Sequence, residues 1–336
     1  MNLKEIGEFG FIERFKPLFD KLVPANITGI GDDCAIIPAN EEDDWVVTTD
    51  MLIEDIHFLR DAMTPEQLGY KSLAVNLSDI ASMGASATGS FLSIAIPKDV
   101  EVEYLDKFME GYHQLSEKYK VPLLGGDTTS SIKHMAINVC VIGKCKKGNA
   151  KRRDTAEAND IVCVTGNLGD SAGGLQVVLN NLHRTPDAGY LALKHFMPEP
   201  RMDEGLFLSA FVEVHAMMDI SDGIASDLVH ILKKSGKAAR IDIDMIPVSP
   251  TLKMVSEQQH WDVTALAVGG GEDYELLCTI EADRFRAVAN AYANRFGKQL
   301  YPIGTIVQDR PQIRWFNNQT EINISQGGFN HFGSTE

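Results

Sequence analysis

Apolar and polar residues alternate along this chain in two rhythms, one suited to strands and one to helices. The best-marked helix is predicted over 64–83. Thr64 stands at its N-cap, Pro65 at the first helical position, and Gln67 completes a T-x-x-Q capping box. Leu68, Leu73, Leu77, Ile80 and Met83 form its apolar stripe, and Gly84 supplies the stop. A second helix is predicted over 101–119, where Val102, Leu105, Phe108, Tyr112, Leu115 and Tyr119 share one face. Strands are predicted at 45–50 (WVVTTD), 91–97 and 137–145. VPLLGGDTT, at 121–129, reads as an apolar run that breaks into a glycine turn.

The pattern lapses over 144–160, a polar, charged stretch without apolar periodicity. This is the predicted boundary between a first domain, 1–147, and a second, 148–336. Strands resume at 160–166, 239–246, 275–280 and 299–306, and 216–223 runs from strand into loop. Helices are predicted at 169–179, 224–235 (stopped by Gly236) and 282–296. Both halves mix strands and helices in a similar order, so the chain is α+β or α/β in two domains, and spacing alone does not choose.

Composition narrows the function. The 336 residues include 31 basic and 47 acidic side chains, a net charge of −16. A field of that sign opposes binding to nucleic acid or anionic membranes. It also opposes phosphorylated ligands, unless cations reverse the sign locally. The five cysteines form no C-x-x-C pair, which argues against a disulfide framework or zinc knuckle; those in apolar strands (Cys140, Cys163, Cys278) read as small core residues. The start, MNLKEIGEFGFIERF, carries no long apolar h-region, so a cytoplasmic location is expected.

Several familiar catalytic signatures are absent, among them G-x-x-x-x-G-K-[ST], H-E-x-x-H, G-x-S-x-G and H-R-D-x-x-x-x-N. What recurs is an acid at a strand end or in a glycine turn. The cases are GIGDDC (Asp32, Asp33), TTD (Asp50), GGDTT (Asp127), DISDG (Asp219, Asp222) and GGGEDYE (Glu272, Asp273). Asp and Gly favour turns, which accounts for any one of these singly. Together, without zinc-type His or Cys spacing, they suit a hard, oxygen-loving ion such as Mg²⁺. Asp79 adds an acid near the C-terminal end of the first helix, where the helix dipole disfavours it and a bound cation would reverse that. His57 follows the TTD acid by seven residues, within reach of the same cleft.

Seven motifs in order, GIGDDCA, TTDMLIEDIHF, YKSLAVNLSDIASMGA, LLGGDTT, VTGNLGDSAGG, DISDGIASDL and GGGEDYELL, resemble the thiamine-monophosphate kinase family of the aminoimidazole-ribonucleotide-synthetase-like superfamily. The resemblance implies an α+β fold of two domains, each a mixed sheet packed with helices. It implies a homodimer in which the N-terminal sheets pair, and several Mg²⁺ ions at the active site. The activity implied is ATP-dependent phosphorylation of thiamine monophosphate to thiamine diphosphate. Carried over by motif, the metal ligands are Asp33, Thr48, Asp50, Asp79, Asp127, Asp219 and Asp222. Of these, Asp127, Asp219 and Asp222 are the acids on which catalysis is expected to depend. Thr49 lies beside them. ATP is expected to meet Gly126, Asp127, Ser221 and a linker arginine; counting back from Val164-Thr165-Gly166 favours Arg153 over Arg152. Substrate is expected to meet His57, Glu272 and Phe329, with Glu272 and Phe329 favouring the cationic thiazolium.

The residues and the resemblance agree on mechanism. The attacking atom is a phosphate oxygen, largely ionised at neutral pH, so no general base is required. The barrier lies in aligning two polyanions, which metals ease by position and charge. A sister activity of the superfamily, or a non-catalytic acidic metal-binding protein, would share much of this acid pattern.

Overall fold

The computed structural model describes residues 23–182 and 185–324, with residues 10, 12, 13, 16, 17, 20 and 21 of the N-terminal segment. The first sheet gathers β1 (Ala35–Pro38), β2 (Asp43–Ile53), β3 (Ser86–Pro97), β4 (Leu123–Ser131) and β5 (Ala136–Lys146) in the order β1-β2-β5-β3-β4. Only the β3–β4 pair is parallel. The period of two is plain in β2, where Val46, Thr48 and Leu52 are buried while Trp45, Thr49 and Met51 are exposed. Ile137, Val139 and Val141 of β5 line the same buried face.

Helix α1 (Pro65–Ser82) covers that face and α2 (Val102–Tyr119) packs against α1. The capping box forms as predicted: Gln67 N–H donates to Thr64 Oγ1, and Thr64 N–H donates to Gln67 Oε1. The two helices cross at a pair of glycines. A Cβ on Gly69 would lie 1.8 Å from Phe108 O, and one on Gly111 would lie 1.8 Å from Glu66 O. The predicted stripe understates α1, because 14 of its 18 residues are buried. The sheet, α2 and the second domain enclose it on different sides.

The second sheet has the order β12-β11-β8-β10-β6-β9-β7. Its strands are β6 (Ile161–Val164), β7 (Val214–Asp219), β8 (Ala238–Asp242), β9 (Leu276–Ile280), β10 (Tyr301–Val307), β11 (Ile313–Asn317) and β12 (Thr320–Ile322). Only β8 and β11 pair in parallel, so this sheet is mixed too. Around it lie α3 (Asp170–Leu179), α4 (Pro186–Phe196), α5 (Met202–Ser209), α6 (Ile224–Ser235), α7 (Pro250–Gln259), α8 (Val263–Gly269) and α9 (Phe285–Phe296). Alternation divides the core between the two faces. Cys163, Met217, Leu276 and Cys278 join the core of the first domain, while Val162, Met218, Leu277 and Ile306 pack with Ile224, Leu228 and Ile231 of α6. The fold is α+β.

Three sequence expectations need correction. The stretch 121–129 does not break into a turn, because β4 runs on through Gly125, Gly126 and Asp127. Glycine is required there for close approach: a Cβ on Gly126 would lie 1.7 Å from Leu92 O. The strand expected over 239–246 ends at Asp242 and gives way to a 3₁₀ turn, Ile243–Met245. The periodicity also fails to anticipate α4, α5, α7 and α8, helices of 11, 8, 10 and 7 residues. Among the described residues no helix is long and apolar enough to cross a membrane. Cys34, Cys145, Cys163 and Cys278 are buried free thiols, while Cys140 is half-buried.

Candidate active site

The second half of β2, the end of β7, one side of α1, the segment after β5, parts of α3, α4 and α8 and the loop before β9 line a cavity of about 1230 Å³. At one end three carboxylates converge. Asp33 comes from the loop before β1, Asp79 from α1 and Asp219 from the last position of β7. Each offers an oxygen within 4.8 Å of the other two. Each is also held by a hydroxyl: Ser82 Oγ donates to Asp33 at 2.8 Å, Ser78 Oγ to Asp219 at 2.6 Å, and Thr48 Oγ1 to Asp79.

This crowding has an electrostatic cost. Burial, and then the neighbouring charges of Asp50, Asp219 and Asp33, push the Asp79 carboxyl well above its ordinary range. Burial and Asp33 raise Asp219 to about 7. Asp32 is likewise raised to about 7 by burial and then Asp33, although it accepts hydrogen bonds from the Arg153 and Asp33 backbone N–H groups. The Arg153 guanidinium bonds Asp33 directly. Desolvated, mutually repelling carboxylates with no soft ligand among them are a donor set that fits a hard divalent cation.

Several other sequence candidates line this cavity. Thr48, Thr49, Asp50, Ser221 and Asp222 lie near the acid cluster, although Asp50 and Asp222 are not within its 4.8 Å triad. Thr49 accepts a hydrogen bond from Asn138, and the Asp222 backbone N–H donates to Asp227. His57 and Glu272 line the cavity as well. His57 Nδ1 accepts from the Ile53 N–H at 3.0 Å, so in the neutral ring the proton is on Nε2. The two linker arginines separate: Arg153 lines the cavity, whereas Arg152 bonds Asp154.

Other candidates are not brought there. Gly126 and Asp127 lie on β4, the outer strand of the sheet. Asp50, Val139, Leu92 and Gly126 form one rung across four strands. Three strand spacings therefore separate Gly126 from Asp50, about 14 Å. Asp273, grouped with the acids by its glycine-rich turn, instead accepts hydrogen bonds from the Gly169 and Ser171 N–H groups at the start of α3. Glu272 is not a free anion, because Lys71 Nζ lies 2.9 Å from its Oε2. Phe329 lies outside the described residues.

Sequence reasoning missed Lys71, His195, Ser78 and Ser82; Thr48 was expected among the metal ligands, and its hydroxyl here donates to Asp79. A signal for Lys71 was present: Lys71, Val75 and Asp79 recur at four-residue spacing and all line the cavity.

Two mixed sheets with their helices, and acids from both halves meeting in one cavity, place the chain in the AIR synthase related class of protein. Family models agree: AIR synthase related protein, N-terminal domain, matches residues 31–145, and the C-terminal domain matches 157–316. Thiamine-monophosphate kinase of Buchnera aphidicola subsp. Schizaphis graminum is 38% identical over 333 residues, covering 98% of this chain and 99% of that protein. The Escherichia coli K12 enzyme of the same name is 34% identical over 333 residues, covering 98% and 99%. A solved structure described as AaThiL complexed with AMPPCP and TMP superposes with a TM-score of 0.85 at 31% identity, covering 98% of this chain and 99% of its own. This chain belongs to the thiamine-monophosphate kinase family.

Proposed function

We propose that this protein transfers the γ-phosphoryl group of ATP to thiamine monophosphate, giving thiamine diphosphate and ADP. The observation that carries the reading is the convergence of Asp33, Asp79 and Asp219 at one end of a cavity large enough for two ligands. Curated relatives bear the name of this activity, and one related structure is described with AMPPCP and TMP. Asp33, Asp79 and Asp219 would hold Mg²⁺, with Thr48, Asp50 and Asp222 beside them. Bound Mg²⁺ supplies positive charge against the phosphate oxygens of both ligands.

The chain's own residues supply position. Asp33 must loosen its ion pair with Arg153 to ligate a cation, which releases the guanidinium for a phosphate of ATP. Ser221 and Thr49 line the same end. His57 presents Nε2–H, a donor, when neutral, so it serves as a substrate contact and not as a base. That agrees with direct attack by an ionised phosphate oxygen, whose proton is already lost above pH ~6. The apolar stretch around Phe58, Met63, Val75 and Phe196 suits the uncharged parts of the heterocycles.

We assign residues 1–147 to dimerisation and to metal and nucleotide binding, and 148–336 to completing the ATP and substrate sites, with Asp219 joining the acid cluster from that second domain. A homodimer accounts for the outer face of the first sheet, where Trp45, Met51 and Phe91 are exposed, and for β4, which is exposed along nearly its whole length. It also gives Gly126 and Asp127 a route to a site, that of the partner subunit. The five free cysteines suit the reducing cytoplasm. The decisive experiment incubates purified protein with thiamine monophosphate and MgATP and assays thiamine diphosphate. Product formation that requires all three components is expected; its absence under saturating conditions would reject the reading.

A further inference from the structure

The loop between α8 and β9 is built to hold one carboxylate still. Glu272 and Tyr274 both adopt left-handed backbone, with φ of 63° and 50°. Such conformers persist where their surroundings over-determine them. Here the Glu272 N–H donates to Ser221 O at 2.7 Å and the Tyr274 N–H donates to Ile220 O at 2.9 Å. Between them the Asp273 carboxylate is tied to the start of α3.

Glu272 meets a cation from the other domain. Lys71 Nζ lies 2.9 Å from Glu272 Oε2, and the lysine side chain is only 1% exposed. A buried ammonium is costly without a partner, and among the described residues Glu272 is the one carboxylate it bonds. His195 Nδ1 stands 3.1 Å from the same oxygen. The same Nδ1 lies 3.1 Å from Ser171 Oγ, which fixes the ring between Glu272 and the start of α3. The Lys71 and His195 contacts with Glu272 both fall on Oε2. Lys71 lies two helical turns before Asp79, about 12 Å along the axis, so this cluster and the three acids mark opposite ends of the cavity.

We propose that Lys71 is a positioning residue for the substrate end of the cavity. With His195 it holds Glu272 as an oriented, charge-compensated acceptor, whose Oε1 takes an N–H of the substrate's heterocycle. The inference rests on the kinase reading and alters the role expected for Glu272. Attraction of a cationic ring by a free anion is largely cancelled by an ammonium at 2.9 Å. What remains is directional hydrogen bonding.

The test is steady-state kinetics of wild type, K71M, K71R, E272Q and K71M/E272Q, with Mg²⁺ saturating. K71M is expected to raise KM for thiamine monophosphate by about 10- to 100-fold, the loss of one charge-assisted hydrogen-bond network. KM for ATP should stay within about twofold, since the ATP end lies two turns away. K71R should recover part of the loss by keeping the charge. In K71M/E272Q the two effects should be strongly non-additive, because both remove the same interaction. Equal rises in both KM values, a fall in kcat alone, or additive effects would overturn the proposal. Should K71M fail to fold, E272Q and K71M/E272Q decide: removing Lys71 when Glu272 is already neutral should change KM by less than about threefold, and a further tenfold rise would overturn it. Wild type without kinase activity would instead reject the functional reading itself.

Discussion

Ser78, on the helix that covers the first sheet, donates a 2.6 Å hydrogen bond to Asp219 at the last position of β7 in the second sheet. Both side chains are buried. One contact thus ties the two domains together and orients one of the three clustered acids.

Replacing Ser78 with Ala should therefore register twice. Stability of the chelator-treated protein should fall by about 1–2 kcal/mol, the loss of one buried donor to a carboxylate. Mg²⁺ affinity at pH 7 should also weaken, because the Ser78 bond favours the ionised Asp219 that a metal needs. Urea denaturation and calorimetric Mg²⁺ titration are the measurements. A variant unchanged in both would show that Ser78 does not support Asp219.

The raised Asp219 carboxyl sets a direction for pH dependence. It holds its proton up to about 7 in the folded chain, against 3.8 ordinarily, because it is buried and faces Asp33. Between those values the folded state binds the extra proton, so this group's contribution is complete below about pH 4 and lost as pH rises through about 7. Asn cannot titrate. Under chelator, D219N should gain on wild type over that window by on the order of 4 kcal/mol. Saturating Mg²⁺ should abolish the gain. Parallel stability profiles of the two proteins would contradict the assignment.

Arg153 and Arg152 are adjacent in sequence and should differ in kinetics. Arg153 bonds Asp33 inside the cavity, while Arg152 bonds Asp154 and is over a third exposed. R153M should raise KM for ATP by about tenfold or more, the loss of a charge-assisted phosphate contact. R152M should stay near wild type, as exposed ion pairs contribute little. The reverse ranking would exchange the two roles.

The place of Asp127 on the sheet edge leads to a mixing experiment. D127N and D222N should each be folded and inactive. If Asp127 serves the partner's site, co-refolded mixtures should recover about a quarter of wild-type activity, since half the dimers are mixed and each holds one intact site. Sedimentation of the same samples gives the oligomeric state. No recovery from a confirmed mixed dimer would place Asp127 within its own chain's site or outside any site.

What the sequence determined by itself is local. Thr64, Pro65 and Gln67 mark the start of α1 because capping is settled within one turn, and Gly84 marks its end for the same reason. The acids in glycine turns were visible as a set, and so was their suitability for a hard cation. Tertiary structure decided which of them meet. Asp33, Asp79 and Asp219 are 46 and 140 residues apart in turn, and only the packing of α1 between two sheets brings their oxygens together. Glu272 and Asp273 are neighbours in one turn, yet one faces the cavity and the other caps α3. The Gly-Gly before Asp127 reads equally as a turn or as a strand pressed against Leu92, and the choice belongs to β3. Lys71 looks misplaced in an apolar helix until Glu272, 201 residues later, supplies the countercharge that makes its burial tolerable.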